Sequence, residues 1–206
     1  MMKHWSKKLG IIIVFSSVMF LMGCQAIGQM FTEFKQEFTG QTMVVQSYDE
    51  QARLIDSVTG KSVSIRRDAE FDSYTADGES NRDSQVLNIQ VGGNTMTHVG
   101  SSLIAAEEGL HDMTQDIANK VELYDTRSNL PFISRMQDSI GQKFFGKNKT
   151  ILIRGQNGTP LAVYSGNKVS YFKTDVPKST GLLIDDKYLF VYRCDYTIYD
   201  NELLIQ

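Results

Sequence analysis

What most constrains this chain is a series of short apolar segments cut at close intervals by turn residues. From Thr150 to Tyr199 it reads TILIRG, QNGT, PLAVYSG, NK, VSYFKT, a break at Pro177, GLLIDD, Lys187 and YLFVYRCDYTIY. Runs rich in Val, Ile, Leu, Tyr and Phe and cut this often by turn residues read as strands. Asn157-Gly158 suits a two-residue hairpin loop, whose central residues need positive φ. Gly166-Asn167 and Asp186-Lys187 punctuate the following segments in the same way. In the last segment, Tyr188, Phe190, Tyr192, Cys194, Tyr196 and Ile198 alternate onto one face of a single strand, with Arg193 and Asp195 on the other.

The same pattern starts at Gln41. MVVQSYD and ARLIDSV lead to Thr59-Gly60 and KSVSIRR, which reads as a hairpin about a short glycine turn. Residues 72–85 are a polar loop. QVLNIQV, Gly92-Gly93-Asn94 and TMTHVG form another hairpin. SSLIAAEEGLHDMTQDIANK fits a strand or a helix, and Gly109 interrupts either. Residues 128–146 carry a helical period in Phe132, Ile133, Met136, Ile140 and Phe144, with cap-type Ser128 and Asn129, Pro131 in the first turn and Gly146 as the stop. The expected fold is mainly β, an antiparallel barrel or sandwich with two short helices, and an α+β arrangement is the alternative. No 20- to 50-residue period recurs, which excludes a solenoid.

The first forty residues read differently. Lys3, Lys7 and Lys8 precede an apolar run from Leu9 to Met22, and no acidic residue occurs before Glu33. A basic segment followed by an apolar one of this length is a secretory signal, too short for a membrane span of about 20 residues. It ends Leu21-Met22-Gly23-Cys24, which resembles the bacterial lipobox. That resemblance implies cleavage after Gly23 and a diacylglyceryl group on the Cys24 thiol. Two acyl chains hold stably where one binds marginally, at about 0.8 kcal/mol per buried CH₂.

The expected organisation is therefore a signal peptide over 1–23, a lipidated Cys24 leading an amphipathic juxtamembrane helix over 24–40, and a single β-rich extracytoplasmic domain over 41–206. In that helix Ile27, Met30, Phe31, Phe34 and Phe38 share one face, and Gly40 is its stop. It either caps the β domain or lies on the bilayer.

Cleavage would remove three lysines from the 21 basic residues, leaving 18 against 24 acidic ones, a formal charge of −6. A nucleic-acid binder would show a basic footprint, so nucleic acid is excluded as a partner. With Cys24 lipidated, Cys194 has no partner for an intramolecular disulfide, and the domain must hold on its core alone.

Several blocks carry a resemblance beyond the lipobox: THVGSS, KTILIRGQNGTPLAVYSGNKV, TDVPKST and IDDKYLFVYRCDYTIYD. Together they resemble an uncharacterised Gram-positive lipoprotein family, a domain of unknown function. The resemblance implies a surface lipoprotein and carries no catalytic residue with it.

The densest set of candidate ligand or metal-binding residues is Glu107, Glu108, His111 and Asp112. On a helix, Glu108 and His111 at i, i+3 would share a face, as in carboxylate-bridged metal centres, but such centres need a second motif that this chain lacks. Asp77, Glu79, Asn81 and Asp83 alternate like calcium ligands, yet Arg82 stands at the glycine position and Asn88 where a bidentate Glu belongs. Ser170-x-x-Lys173 has the spacing of a serine–lysine pair, but on a strand an odd separation puts the two on opposite faces. Cys194 among aromatics reads as a small buried hydrophobe. No catalytic set and no cofactor emerge.

Two functions remain in view. One is a lipid-anchored, non-enzymatic module on the extracytoplasmic face of the cell membrane, binding a cell-wall component or an envelope protein. The other is a cell-wall hydrolase or metal-dependent enzyme built on Glu107, Glu108, His111 and Asp112. A two-lobed solute-binding protein fits neither the length nor the strand content. If Cys24 is the anchor, Cys24→Ser shifts the protein from the membrane fraction to the soluble or secreted one. Unchanged membrane association of that variant would place the anchor elsewhere.

Overall fold

The computed structural model describes residues 37–114 and 146–204. Eleven strands form two antiparallel sheets among these residues. In chain order they are β1 (Glu37–Tyr48), β2 (Leu54–Arg67), β3 (Val86–Val91), β4 (Asn94–Val99), β5 (Ser102–Glu107), β6 (Lys149–Arg154), β7 (Pro160–Gly166), β8 (Val169–Lys173), β9 (Ser179–Ile184), β10 (Lys187–Tyr192) and β11 (Asp195–Asp200). The larger sheet has the order β4-β3-β2-β1-β5-β10-β9-β8, and the smaller one β11-β6-β7. The mainly β expectation holds. Among the described residues the helical parts are single 3₁₀ turns at Ala69–Phe71 and Asn201–Leu204, and Thr114 at the border of the described stretch.

The two sheets enclose a core between them. Ile104, Ala106, Leu182, Ile184, Leu189 and Val191 from the large sheet meet Ile151, Ile153, Ala162 and Tyr164 from the small one. Register explains the match, since Ala106, Leu189 and Leu182 stand directly opposite one another on three adjacent strands. Full burial of each leucine or isoleucine side chain contributes about 1.5–3 kcal/mol.

The central part of the other face of the large sheet is buried as well. Val45, Ala105 and Phe190 form a second cross-strand row, with Ile65, Leu87, Ile89 and Leu103 equally inaccessible. A rolled sheet encloses this face. Only Gly100 and Ser101 join β4 to β5, although β3, β2 and β1 lie between those two strands in pairing order. A flat sheet would set β4 and β5 about 19 Å apart at ~4.8 Å per strand. Three residues of chain reach only about 11 Å. The sheet must therefore curl until the end of β4 meets the start of β5. The His98 ring lies edge-on to Tyr192 with centroids 6.0 Å apart, and the Tyr192 hydroxyl donates to the Gln85 carbonyl at 2.8 Å. Both contacts bring the β3–β4 side of the sheet against β10. The roll does not close into a barrel, because β4 and β8 remain edges.

Several sequence expectations change. Residues 25–36 of the expected amphipathic helix lie outside the described residues, but Phe38 and Thr39 belong to β1, and Phe38 is buried. Gly40 is no helix stop. With φ +84° it sits in a bulge, where its N–H donates to Ser62 Oγ at 3.1 Å. The helix expected over 128–146 lies outside the described residues apart from Gly146. The ambiguous SLIAAE segment is strand β5.

Thr59-Gly60 makes no turn. β2 runs straight through it, and the hairpin is made instead at residues 49–53, where Asp49 accepts the N–H groups of Gln51 and Arg53. Gly60 is needed for a different reason. A Cβ there would stand 2.3 Å from Val91 Cγ1, a collision with a stiff β-branched side chain. The segment from Tyr188 to Ile198 is two strands rather than one. Arg193, at φ +51°, carries the chain out of the large sheet at the end of β10 and into the small one as β11.

This geometry fixes an expected result. Gly60→Ala should lower stability by about 1–3 kcal/mol, as overpacking does. Adding Val91→Ala should cost less in that background than in wild type, because the collision is removed. Urea midpoints of the four proteins check it; strict additivity would contradict the close approach.

Candidate functional site

The four acidic and histidine candidates do not share a helical face. Glu107 ends β5, and Glu108 and Gly109 turn the chain, with Gly109 at φ +82°. Glu107 Oε2 accepts the Tyr188 N–H at 3.0 Å, and its Oε1 is 3.6 Å from Lys187 Nζ. The Glu108 N–H donates to the Thr42 carbonyl at 2.8 Å, while its own carbonyl accepts from Lys187 Nζ at 2.9 Å. Both glutamates thereby tie the end of β5 to its neighbours. Among the described residues, no three His, Cys, Asp or Glu side chains converge on a metal-sized site.

Asp112 is half-buried against the outer edge of β7. Its Oδ1 accepts the N–H groups of Thr114 (2.9 Å) and Val163 (3.0 Å), and its Oδ2 accepts the Thr114 hydroxyl at 2.8 Å. The Met113 N–H donates to the Val163 carbonyl at 2.8 Å. Both polar backbone groups of Val163 are thus satisfied by a loop, where an open strand edge would otherwise lie. Burial pushes the Asp112 carboxyl above its ordinary pKa, although the three donors and His111 pull it down. Burial likewise raises the neighbouring Tyr164 phenol.

His111 lies on the rim of a cleft of about 490 Å³. Leu110, Met113 and Ile184 supply its apolar lining, and Lys147, Lys187 and Asp185 its charge. Asp185 Oδ2 accepts from Lys147 Nζ at 2.8 Å, and its Oδ1 accepts the N–H groups of Asn167 and Lys168, each at 2.8 Å. The Lys147 hydrogen bond, with those backbone donors, holds the Asp185 carboxyl below the usual carboxylate range. The cleft therefore pairs an apolar lining with two ammonium groups already engaged by protein oxygens. It can hold a ligand, whereas the carboxylate in its lining, Asp185, is occupied as a hydrogen-bond acceptor within the fold.

A second cleft, of about 420 Å³, opens where loops from both sheets meet around Arg193. Nη1 donates to Gln85 Oε1 at 2.9 Å and Nη2 to Gln156 Oε1 at 3.2 Å, while Nε is buried without a partner. Cys194, the next residue, is largely buried, which pushes its thiol up to about 12. It is protonated at neutral pH and directs its S–H toward the Tyr192 carbonyl, 3.3 Å away. As expected from its aromatic neighbours, it is a packing residue and not a ready nucleophile.

Sequence reasoning found Glu107 to Asp112 as a cluster but missed Lys187 and Asp185, which complete the cleft. Asp185-Asp186 shows only as a turn signal, with φ +46° and +65°, and gives no hint that Asp185 reaches Lys147.

A model of the domain of unknown function DUF5052 matches residues 7–204, and the chain belongs to that family. No curated protein and no solved structure matches this chain.

The Asp112 environment sets the sign of a pH effect. Its folded-state pKa lies above the unfolded value, so the folded state takes up a proton between the two. The contribution of Asp112 to stability is greatest below the unfolded value, about pH 4, and is lost as pH rises through the folded value. Asp112→Asn keeps an oxygen for the two N–H donors and removes the charge, so its urea midpoint should lose that decline and gain on wild type toward neutral pH. Parallel pH profiles for the two proteins would contradict it.

Proposed function

We propose that this chain is a lipid-anchored envelope protein whose β domain binds a cell-wall component or an envelope protein and carries out no reaction of its own. The observation that carries this reading is the use made of three acidic groups in and beside the cleft, the Glu108 carboxylate being exposed outside its lining. Glu107 is spent on Tyr188 and Lys187, Asp112 on Val163 and Thr114, and Asp185 on Lys147 and two backbone N–H groups. A general acid or base needs a carboxyl free to exchange its proton with a substrate. What the cleft offers instead is apolar surface rimmed by Lys147, Lys187 and His111, suited to a ligand with a compact apolar body and an anionic group.

The anchor is the second part of the proposal, and it rests on the Leu21–Cys24 motif behind its apolar run. The family match begins at residue 7 and so takes in that run and Cys24. Among the described residues no helix is long and apolar enough to cross a membrane. β1 begins at Glu37, thirteen residues beyond Cys24 (37 − 24 = 13), so a lipid on that sulfur would hold the domain close to the bilayer.

A melting panel followed by circular dichroism, with wall fragments, anionic wall polymers and divalent metals, tests the binding reading. A true ligand at a hundred times its dissociation constant adds about 2.7 kcal/mol of stability. The expected result is a rise with a wall component that Lys147→Ala removes, without turnover. A metal-dependent rise abolished by His111→Ala, accompanied by hydrolysis of wall material, would replace this reading with the enzymatic one.

A further inference from the structure

The second cleft carries a base and an acid that the fold leaves unpaired. Arg193 and Gln156 line it from one side, and Asp49 and Glu50 from the β1–β2 turn, with Tyr48 and Ile55 as its apolar part. Asn157 Nδ2 donates to the Glu50 carbonyl, which ties that turn to the β6–β7 connection beside the cleft. Asp49 is spent within its own turn, where it accepts the N–H groups of Gln51 and Arg53 and the Arg53 Nε. The Glu50 side chain is exposed, and no hydrogen bond or ion pair engages its carboxylate among the described residues.

Arg53, Arg67 and Arg82 each face a carboxylate, whereas Arg193 faces none. A guanidinium has five N–H donors and no acceptor. Arg193 uses two of them, both on uncharged oxygens, Gln85 Oε1 and Gln156 Oε1. Among the remaining three is the Nε–H, a buried donor without a partner, and such a group calls for an acceptor. Lys178 Nζ donates to the same Gln85 oxygen at 3.1 Å, so two cations share one neutral acceptor. Both glutamines turn their oxygens to these cations, which leaves their NH₂ groups as further donors.

We infer that this cleft binds a compact zwitterion, an amino acid or short peptide, with its carboxylate on Arg193 and its ammonium on Glu50. The planar guanidinium matches a carboxylate in geometry as well as charge. A carboxylate on it supplies the charged acceptor that the glutamines do not. Glu50 then accepts from the ammonium, and Ile55, half exposed at the cleft, suits a small aliphatic side chain. Charge also excludes other ligands, since Glu50 repels a plain anion and Arg193 a plain cation. The inference does not rest on the other cleft or on its ligand.

Calorimetric titration of the full chain in detergent tests it, with alanine and its di- and tripeptide as probes. At least one should bind saturably. Acetylating its amine or amidating its carboxylate should weaken binding about tenfold or more, as loss of one charged hydrogen bond does. Glu50→Gln, an exposed change, should weaken the free probe by a like factor and leave the acetylated one unaffected. Arg193→Lys, which keeps the charge and loses the fork, should weaken the free probe; if that variant fails to fold, the Glu50→Gln comparison decides. Lys147→Ala, at the other cleft, should leave binding unchanged. No binding of any probe at millimolar concentration, an acetylated probe as tight as the free one, or no effect of Glu50→Gln would overturn the inference. So would acetate or phosphate binding as tightly as the peptides, which would make this a plain anion site, or loss of binding in Lys147→Ala.

Discussion

Strand β5 has no solvent side, and much of the fold is built around that. Its residues Ser102 to Ala106 are all buried: Ile104 and Ala106 point into the core between the sheets, while Leu103 and Ala105 point into the roll. A strand buried on both faces cannot alternate, and its side chains must be apolar or small in succession. On either side of it stand β1, from the first part of the chain, and β10, from the last. The two cores therefore share a wall, so damage at β5 should reach both.

The roll follows from the short β4–β5 link and the bulge at Gly40. The small sheet is laid over the outside of that roll by the crossing at Arg193, whose N–H donates to the Lys178 carbonyl and whose carbonyl accepts from the Ser102 hydroxyl. Acidic side chains then finish the surface. Asp49 closes the β1–β2 hairpin, Asp112 covers a strand edge, and Asp185 fastens the β7–β8 connection to Lys147. Asp72 gathers Arg67, Ser80 and the Ser84 N–H to shape the long polar loop. Carboxylates used in this way stabilise loops through charge-assisted hydrogen bonds.

The legible parts of the fold are those where a local conformation demands a residue type. Gly92-Gly93 marks a two-residue hairpin with both residues at positive φ, whereas Asn157-Gly158 marks a hairpin whose connection spans residues 155–159, with only Gly158 of the pair at positive φ. Gly60 misleads because its glycine answers to Val91, on another strand, and not to a turn. The break at Arg193 is silent, since arginine is no turn residue and the alternation runs on either side of it. SLIAAE resists assignment because two buried faces erase the period that separates strand from helix. At the candidate cleft, Glu107 to Asp112 stand out by composition. Their partners Val163, Lys187 and Tyr188 lie 51 to 81 residues away and become visible only with the register.

Hydrogen exchange along β5 tests the shared-wall account most directly. Amides buried in both cores open only with the whole domain, whereas edge amides open locally. The amides of Leu103 to Ala106 should be the slowest in the described domain, with those of β1 and β10 next and those of β11 much faster. Exchange of Leu103 to Ala106 at the rate of β11, with the small sheet protected instead, would contradict it.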